Sequence, residues 1–206
     1  MWHFLVDNRP ELWSETAAHA RLVALALLLA VPPAVALGVA AARRPRVAAL
    51  AVGAAGVIFT IPSLALFALL VAPLGLGTAP AVAALALYSV LPVLRNTVVG
   101  LNEVPADAVE AARGMGMTEA QALWRVRLPL ALPVVVGGVR VAAVTAVGMA
   151  TVAALVAAGG LGDQIFAGLR AGDETQVLAA TFVIAALALS LDAGLGLIER
   201  TLRRSR

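Results

Sequence analysis

Long apolar blocks alternate with short polar gaps along the whole of this chain. Five blocks reach the roughly 18–20 residues that cross a bilayer as a helix: about 17–42, 47–71, 79–101, 130–158 and 176–198. Helix is the expected state of each, because backbone in hydrocarbon must satisfy its own hydrogen bonds. A membrane barrel would need alternating segments of about ten residues, and the pattern holds none. The gaps leave no room for a soluble domain. The pattern predicts an all-α integral membrane protein, a single domain over 1–206, with about five transmembrane helices and one larger polar loop at about 102–129.

Composition agrees: 62% of the residues are hydrophobic and 13% charged, against about half and about a quarter in soluble domains. Its 15 Lys+Arg residues are all arginine. A nucleotide-binding P-loop needs a lysine, so any ATP used must be bound by another chain. With no cysteine, the redox compartment is not readable. The start, MWHFLVDNRPELWSETAAHAR, lacks a basic region before a short apolar core and is expected to be retained. It reads as a partly amphipathic lead-in, with Trp2 and Trp13 suited to the membrane interface.

Arginine also sets the orientation. Arg43, Arg44 and Arg46, then Arg113, Arg125 and Arg127, then Arg200, Arg203, Arg204 and Arg206 fall on one side of a five-span path. The positive-inside rule makes that side cytoplasmic, with the N-terminus outside. Arg9, Arg21 and Arg170 remain outside or at the outer edge. The 159–175 segment, with Asp163, Asp173 and Glu174, then faces out, and 102–129 is the main cytoplasmic loop. The basic balance fits a membrane face better than nucleic acid.

That loop contains VEAARGMGMTEAQALWRVRLPLALP, residues 109–133. Pro105 and Asp107 signal a helix start, and 108–113 is a good helix former. Gly114 and Gly116 suggest a tight bend. Thr118 with Gln121 makes a capping box for a second short helix, and Pro129 and Pro133 restart the chain as the fourth span. Two short helices could lie flat on the membrane or stand out as a knob, and helix pattern alone favours neither. The order E-A-A, three residues, G, nine residues, I-x-L-P is met by Glu110-Ala111-Ala112, Gly116 and Val126-Arg127-Leu128-Pro129, with valine for isoleucine. The segment resembles the EAA loop of permease subunits from binding-protein-dependent ABC importers.

The resemblance implies that Glu110, Ala111, Ala112, Gly116, Val126, Leu128 and Pro129 form a coupling helix for a separate ATPase. Residues 60–101 and 150–169 are similar to osmoprotectant permeases, those for glycine betaine, carnitine or choline. The implied protein is a permease of the bacterial cytoplasmic membrane, forming half of a translocation path. Its implied partners are a second permease, identical or homologous, two ABC ATPases, an extracytoplasmic binding protein and lipid. No cofactor is expected on this chain; ATP and magnesium belong to the ATPase, and no covalent chemistry is expected here. A permease for another small solute, such as methionine or an oxyanion, is the alternative.

Other residues invite roles. Pro62 should kink or break the second span, either as a packing feature or as a broken helix lining a path. Thr60 and Ser63 are expected to satisfy the freed carbonyls. Arg95, Arg140 and Asp192 are ionisable residues inside apolar blocks. Arg95 and Asp192 lie about six residues from the cytoplasmic ends of theirs, roughly 10 Å deep. Arginine can snorkel that far; aspartate cannot, so Asp192 is expected to pair with Arg140 or Arg95 near an inner gate. Tyr88, Ser89, Asn96, Thr145, Met149 and Thr151 are pathway candidates or helix–helix contacts.

Gly159, Gly160, Gly162 and Asp163 read as a flexible, sharply bent outer loop, which the resemblance places near the path and within reach of the binding protein. Gly137-Gly138 and Gly194-x-Gly196 suit close helix packing. One tyrosine and 4% aromatics are too few for a quaternary-ammonium cage, so the high-affinity site is expected on the binding protein. Gly160 to Asp163 also matches the GxGD string of intramembrane aspartyl proteases. That chemistry needs two adjacent carboxylates, and Asp192 is expected on the far side. His3 and His19 form no H-E-x-x-H zinc motif, and no metal site is expected. Five spans leave no room for the paired repeats of a secondary transporter.

Overall fold

The computed structural model describes residues 2–204, which leaves Arg206, one of the arginines used for orientation, outside the described residues. Most of the described residues are helical: α1 (Trp2–Asp7), α2 (Arg9–Ala41), α3 (Pro45–Thr60), α4 (Ser63–Leu74), α5 (Thr78–Asn102), α6 (Ala106–Gly114), α7 (Glu119–Ala122), α8 (Leu128–Ala150), α9 (Gly162–Ala171) and α10 (Glu174–Arg204). A π-turn at Leu123–Arg127 joins α7 to α8, and a 3-10 turn at Val152–Val156 follows α8.

Four unbroken helices are long and apolar enough to cross a membrane, at 9–41, 78–102, 119–150 and 174–203. The second apolar block is not one straight span. It divides into α3 and α4, bent by 94° at Ile61-Pro62. Proline lacks the N–H that would continue the ladder, and its ring crowds the preceding turn.

Three boundaries differ from expectation. The lead-in is not separate from the first span, because α2 starts at Arg9 with Pro10 in its first turn, where proline needs no helical donor. Pro129 does not restart the chain, because helix runs unbroken from Glu119 to Ala150. The π-turn, with Leu128 N–H donating to Leu123 O, gives the ring its room. Span four was expected to reach 158, yet α8 stops at Ala150, and left-handed Ala157, with φ 61, turns the chain away. The 159–175 segment, read as a glycine-rich loop, holds α9.

The core is built on α5. Small residues let the neighbours approach closely. A Cβ added to Gly38 of α2 would lie 2.7 Å from Thr97, and one on Gly138 of α8 would lie 2.6 Å from Asn96 Cβ and 2.8 Å from the Pro92 carbonyl. Gly196 faces the Arg140 guanidinium, whereas Gly194 faces open space. Phe67, Leu85 and Val147 fill one core cluster, Val93, Leu94 and Ala142 a second, and Leu101, Ala131 and Val135 a third. By contrast α10 is largely unburied.

Candidate functional site

The 106–127 segment stands out as a knob with a defined stop. Met117 N–H donates to Ala112 O at 3.1 Å and Gly116 N–H to Arg113 O at 2.9 Å. This is a Schellman ending, and it requires a left-handed residue at Gly116, whose φ is 78. The capping box is closed in both directions: Gln121 N–H donates to Thr118 Oγ1 at 3.3 Å and Thr118 N–H to Gln121 Oε1 at 2.8 Å. Ala112 is fully buried, while Glu110, Ala111, Gly116 and Pro129 are exposed and Val126 and Leu128 half-buried.

Charges tie the knob to the bundle. Glu119 accepts from Arg113 at 2.9 Å and lies 3.5 Å from Arg43, which also donates to the Glu119 carbonyl. Arg127 donates to Leu101 O at 3.1 Å. Met115 and Trp124 are 69% and 63% exposed on the knob. The motif did not single them out, although large apolar groups on a charged, polar loop were a legible signal of a docking surface.

At the second-span break, the Tyr88 hydroxyl donates to Ile61 O, and its ring meets Phe59 edge-on at 5.7 Å. Tyr88, not Ser63, takes the carbonyl freed at the hinge. Thr60 donates back to Val57 O at 2.7 Å, and Ser63 makes no side-chain hydrogen bond among the described residues. The partner is tertiary: α5 brings the Tyr88 hydroxyl to the bend, 27 residues away in sequence. Ser89 and Asn96 donate to carbonyls one turn back in α5, Leu85 O and Pro92 O. Tyr88 and Ser89 are buried; Asn96, Thr145, Met149 and Thr151 are half-buried.

Asp192 meets Arg140 through two parallel bonds, Nε–Oδ1 at 2.5 Å and Nη2–Oδ2 at 2.6 Å. Glu199 extends the cluster, 3.5 Å from Arg140 and 2.8 Å from Arg203. Arg140, Asp192 and Glu199, with Gly137 and Thr145, line a cavity of about 380 Å³ between α8 and α10. Arg95 takes no part: it is exposed and makes no hydrogen bond or ion pair with any described residue. With both oxygens engaged by Arg140, Asp192 cannot share a proton with Asp163 as aspartyl-protease chemistry requires.

At the opposite end, Gly159 and Gly160 have φ 80 and 91, and Gly160 packs on His19. Gly162 is wedged against Thr151 O. Partial burial raises the Asp163 carboxyl above its ordinary range, opposed by Arg170. Beside them lies a polar node that sequence reasoning missed. Gln164 donates to Glu11 at 2.9 Å and Glu15 at 3.1 Å, and accepts from Gln176 at 2.6 Å. Fully buried His19 sits 3.0 Å from Val147 O. Glu11, Glu15 and His19 recur every four residues, so they share a helix face; that spacing was the available signal. No cluster of metal ligands exists among the described residues.

The family described as the inner membrane component of binding-protein-dependent transport systems matches residues 34–204. The osmoprotectant import permease protein OsmW of Salmonella typhimurium is 43% identical, over 92% of this chain and 91% of that protein. The choline transport system permease protein OpuBB of Bacillus subtilis is 39% identical, over 97% of this chain and 92% of that one. A solved chain of the inward-facing MetNI methionine ABC transporter superposes with a TM-score of 0.79, over 93% of this chain and 95% of that one; at 22% identity this is a likeness of fold. With its spans, its knob and these relatives together, the chain belongs to the inner-membrane permease family of binding-protein-dependent transport systems.

Proposed function

We propose that this permease carries a compatible solute of the glycine betaine, carnitine and choline class into the cell, driven by ATP on a partner chain. The observation that carries the cargo is the 43% identity to an osmoprotectant import permease over nearly the whole chain. The knob at 106–127 is the docking element for the ATPase, with Met115 and Trp124 as its apolar contacts. Because helix continues from Glu119 to Ala150, movement of the knob is carried into the membrane along one continuous rod. The path forms between this chain and a second permease, with two ATPases on the cytoplasmic face and a solute-binding protein outside. The N-terminus lies outside and the C-terminus in the cytoplasm, in accord with the arginine distribution. ATP and magnesium are held by the ATPase, and this chain binds no cofactor.

The test is labelled glycine betaine uptake in cells lacking this chain, restored with wild type or with Gly116→Val, alongside recovery of the ATPase with the purified permease. A β-branched residue at φ 78 breaks the Schellman stop. Wild type should restore uptake and retain the ATPase; the variant should do neither. A wild type that holds the ATPase but moves no betaine overturns the cargo, and one that holds no ATPase overturns the coupling assignment.

A further inference from the structure

Arg95 stands on α5 seven residues before the helix ends at Asn102. Elsewhere in the chain Arg140 is held by Asp192 and Glu199, Arg127 by Leu101 O, and Arg43 and Arg113 by Glu119. Arg95 has none among the described residues. The other faces of α5 are covered. Leu94 and Thr97 meet Gly38 of α2, Asn96 and Gly100 meet Gly138 and Val134 of α8, and Val98 packs in the cluster that holds Ala51 and Val52 of α3.

What remains is a stripe at helical spacing, Tyr88, Arg95, Val99 and Asn102. Tyr88 is closed over by the hinge at Ile61, whereas Arg95, Val99 and Asn102 are exposed. The free guanidinium therefore sits about 10 Å along the axis from the broken-span hinge, on an open face of the central helix.

We propose that Arg95 is a transient binding point for the carboxylate of the cargo, on a path lined by this α5 face. The inference rests on the importer reading above and narrows it to zwitterions. A guanidinium presents a planar fork that matches a carboxylate through two parallel hydrogen bonds. Glycine betaine and carnitine carry such a group. Choline does not, and its ammonium is repelled by the same charge. A single exposed contact holds cargo weakly, which suits a step of passage. A lipid phosphate offers the same oxyanion chemistry, because arginine can snorkel to it, so the test must separate the two.

Uptake of labelled glycine betaine and of labelled choline is measured with wild type, Arg95→Leu and Arg95→Lys. Each rate is normalised to permease in the membrane and to ATPase recovered with it. Arg95→Leu should lower betaine uptake efficiency about tenfold and leave choline within about twofold, with Arg95→Lys intermediate. An equal fall in both cargoes, or unchanged betaine uptake, overturns the assignment. Less permease in the membrane with unchanged uptake per molecule marks a lipid anchor and also overturns it. A wild type that moves choline alone overturns the inference while the importer reading stands. A wild type that moves neither overturns the cargo reading and the inference together.

Discussion

Tyr88 couples a single hydroxyl to the shape of a whole span. Pro62 ends one helix and leaves Ile61 with a carbonyl that no helical N–H can reach, and the Tyr88 hydroxyl donates to it. An unpaired carbonyl in an apolar setting costs more than an average hydrogen bond contributes. Tyr88→Phe keeps the ring against Phe59 and removes only the donor. It should cost about 1–3 kcal/mol and speed amide exchange selectively around residues 57–66, as read by hydrogen–deuterium exchange on the purified permease. Uniform exchange across the chain would contradict the local role. Ser63 was the nearer donor in sequence, but reach across the bend decides the partner.

Helices in this protein pack by absence of side chain as much as by presence. Without competing water, association of membrane helices depends on close contact, and α5 and α8 achieve it at Gly138. Gly138→Val forces new atoms against the Pro92 carbonyl, which is backbone and cannot swing aside. That overpacking should cost about 1–3 kcal/mol, measured as a fall in stability in mixed-detergent unfolding. Gly148→Ala serves as the control, because a Cβ there meets nothing within 4 Å, and it should be near neutral. Glycine runs were visible in the chain, but which glycine meets a neighbour was not: Gly138 does and Gly194 does not.

Across the whole molecule, α8 is the rod between knob and membrane, and Arg140 fastens α10 to it through Asp192 and Glu199. If the rod carries α10 with it, Asp192→Asn should leave ATP hydrolysis by the assembled transporter running while solute moved per ATP falls. Proteoliposomes that report both rates check this. The Arg140→Leu/Asp192→Leu double variant should be more stable than Asp192→Asn alone, because it removes both charges rather than leaving Arg140 only the more distant Glu199, 3.5 Å away. Glu199 lies near the chain end, where a charged residue looks like solvated surface, so its membership was not legible. The node of Glu11, Glu15 and His19 was hidden for a related reason, since Gln164 comes to it from 149 and 153 residues away.

What the amino-acid order determined by itself was local or one-dimensional. Apolar length sets the spans, since hydrocarbon permits little but helix; proline at 62 breaks the second; the E-A-A to P spacing marks the knob; arginine distribution argues the orientation. What only the tertiary structure decided was choice among equals. Two arginines were available to Asp192, and helix packing put Arg140 within reach and left Arg95 on an open face. Two hydroxyl-bearing neighbours flanked the broken turn, and α5 supplied a third from outside it. Partner choice depends on distances between helices, and no local pattern encodes those.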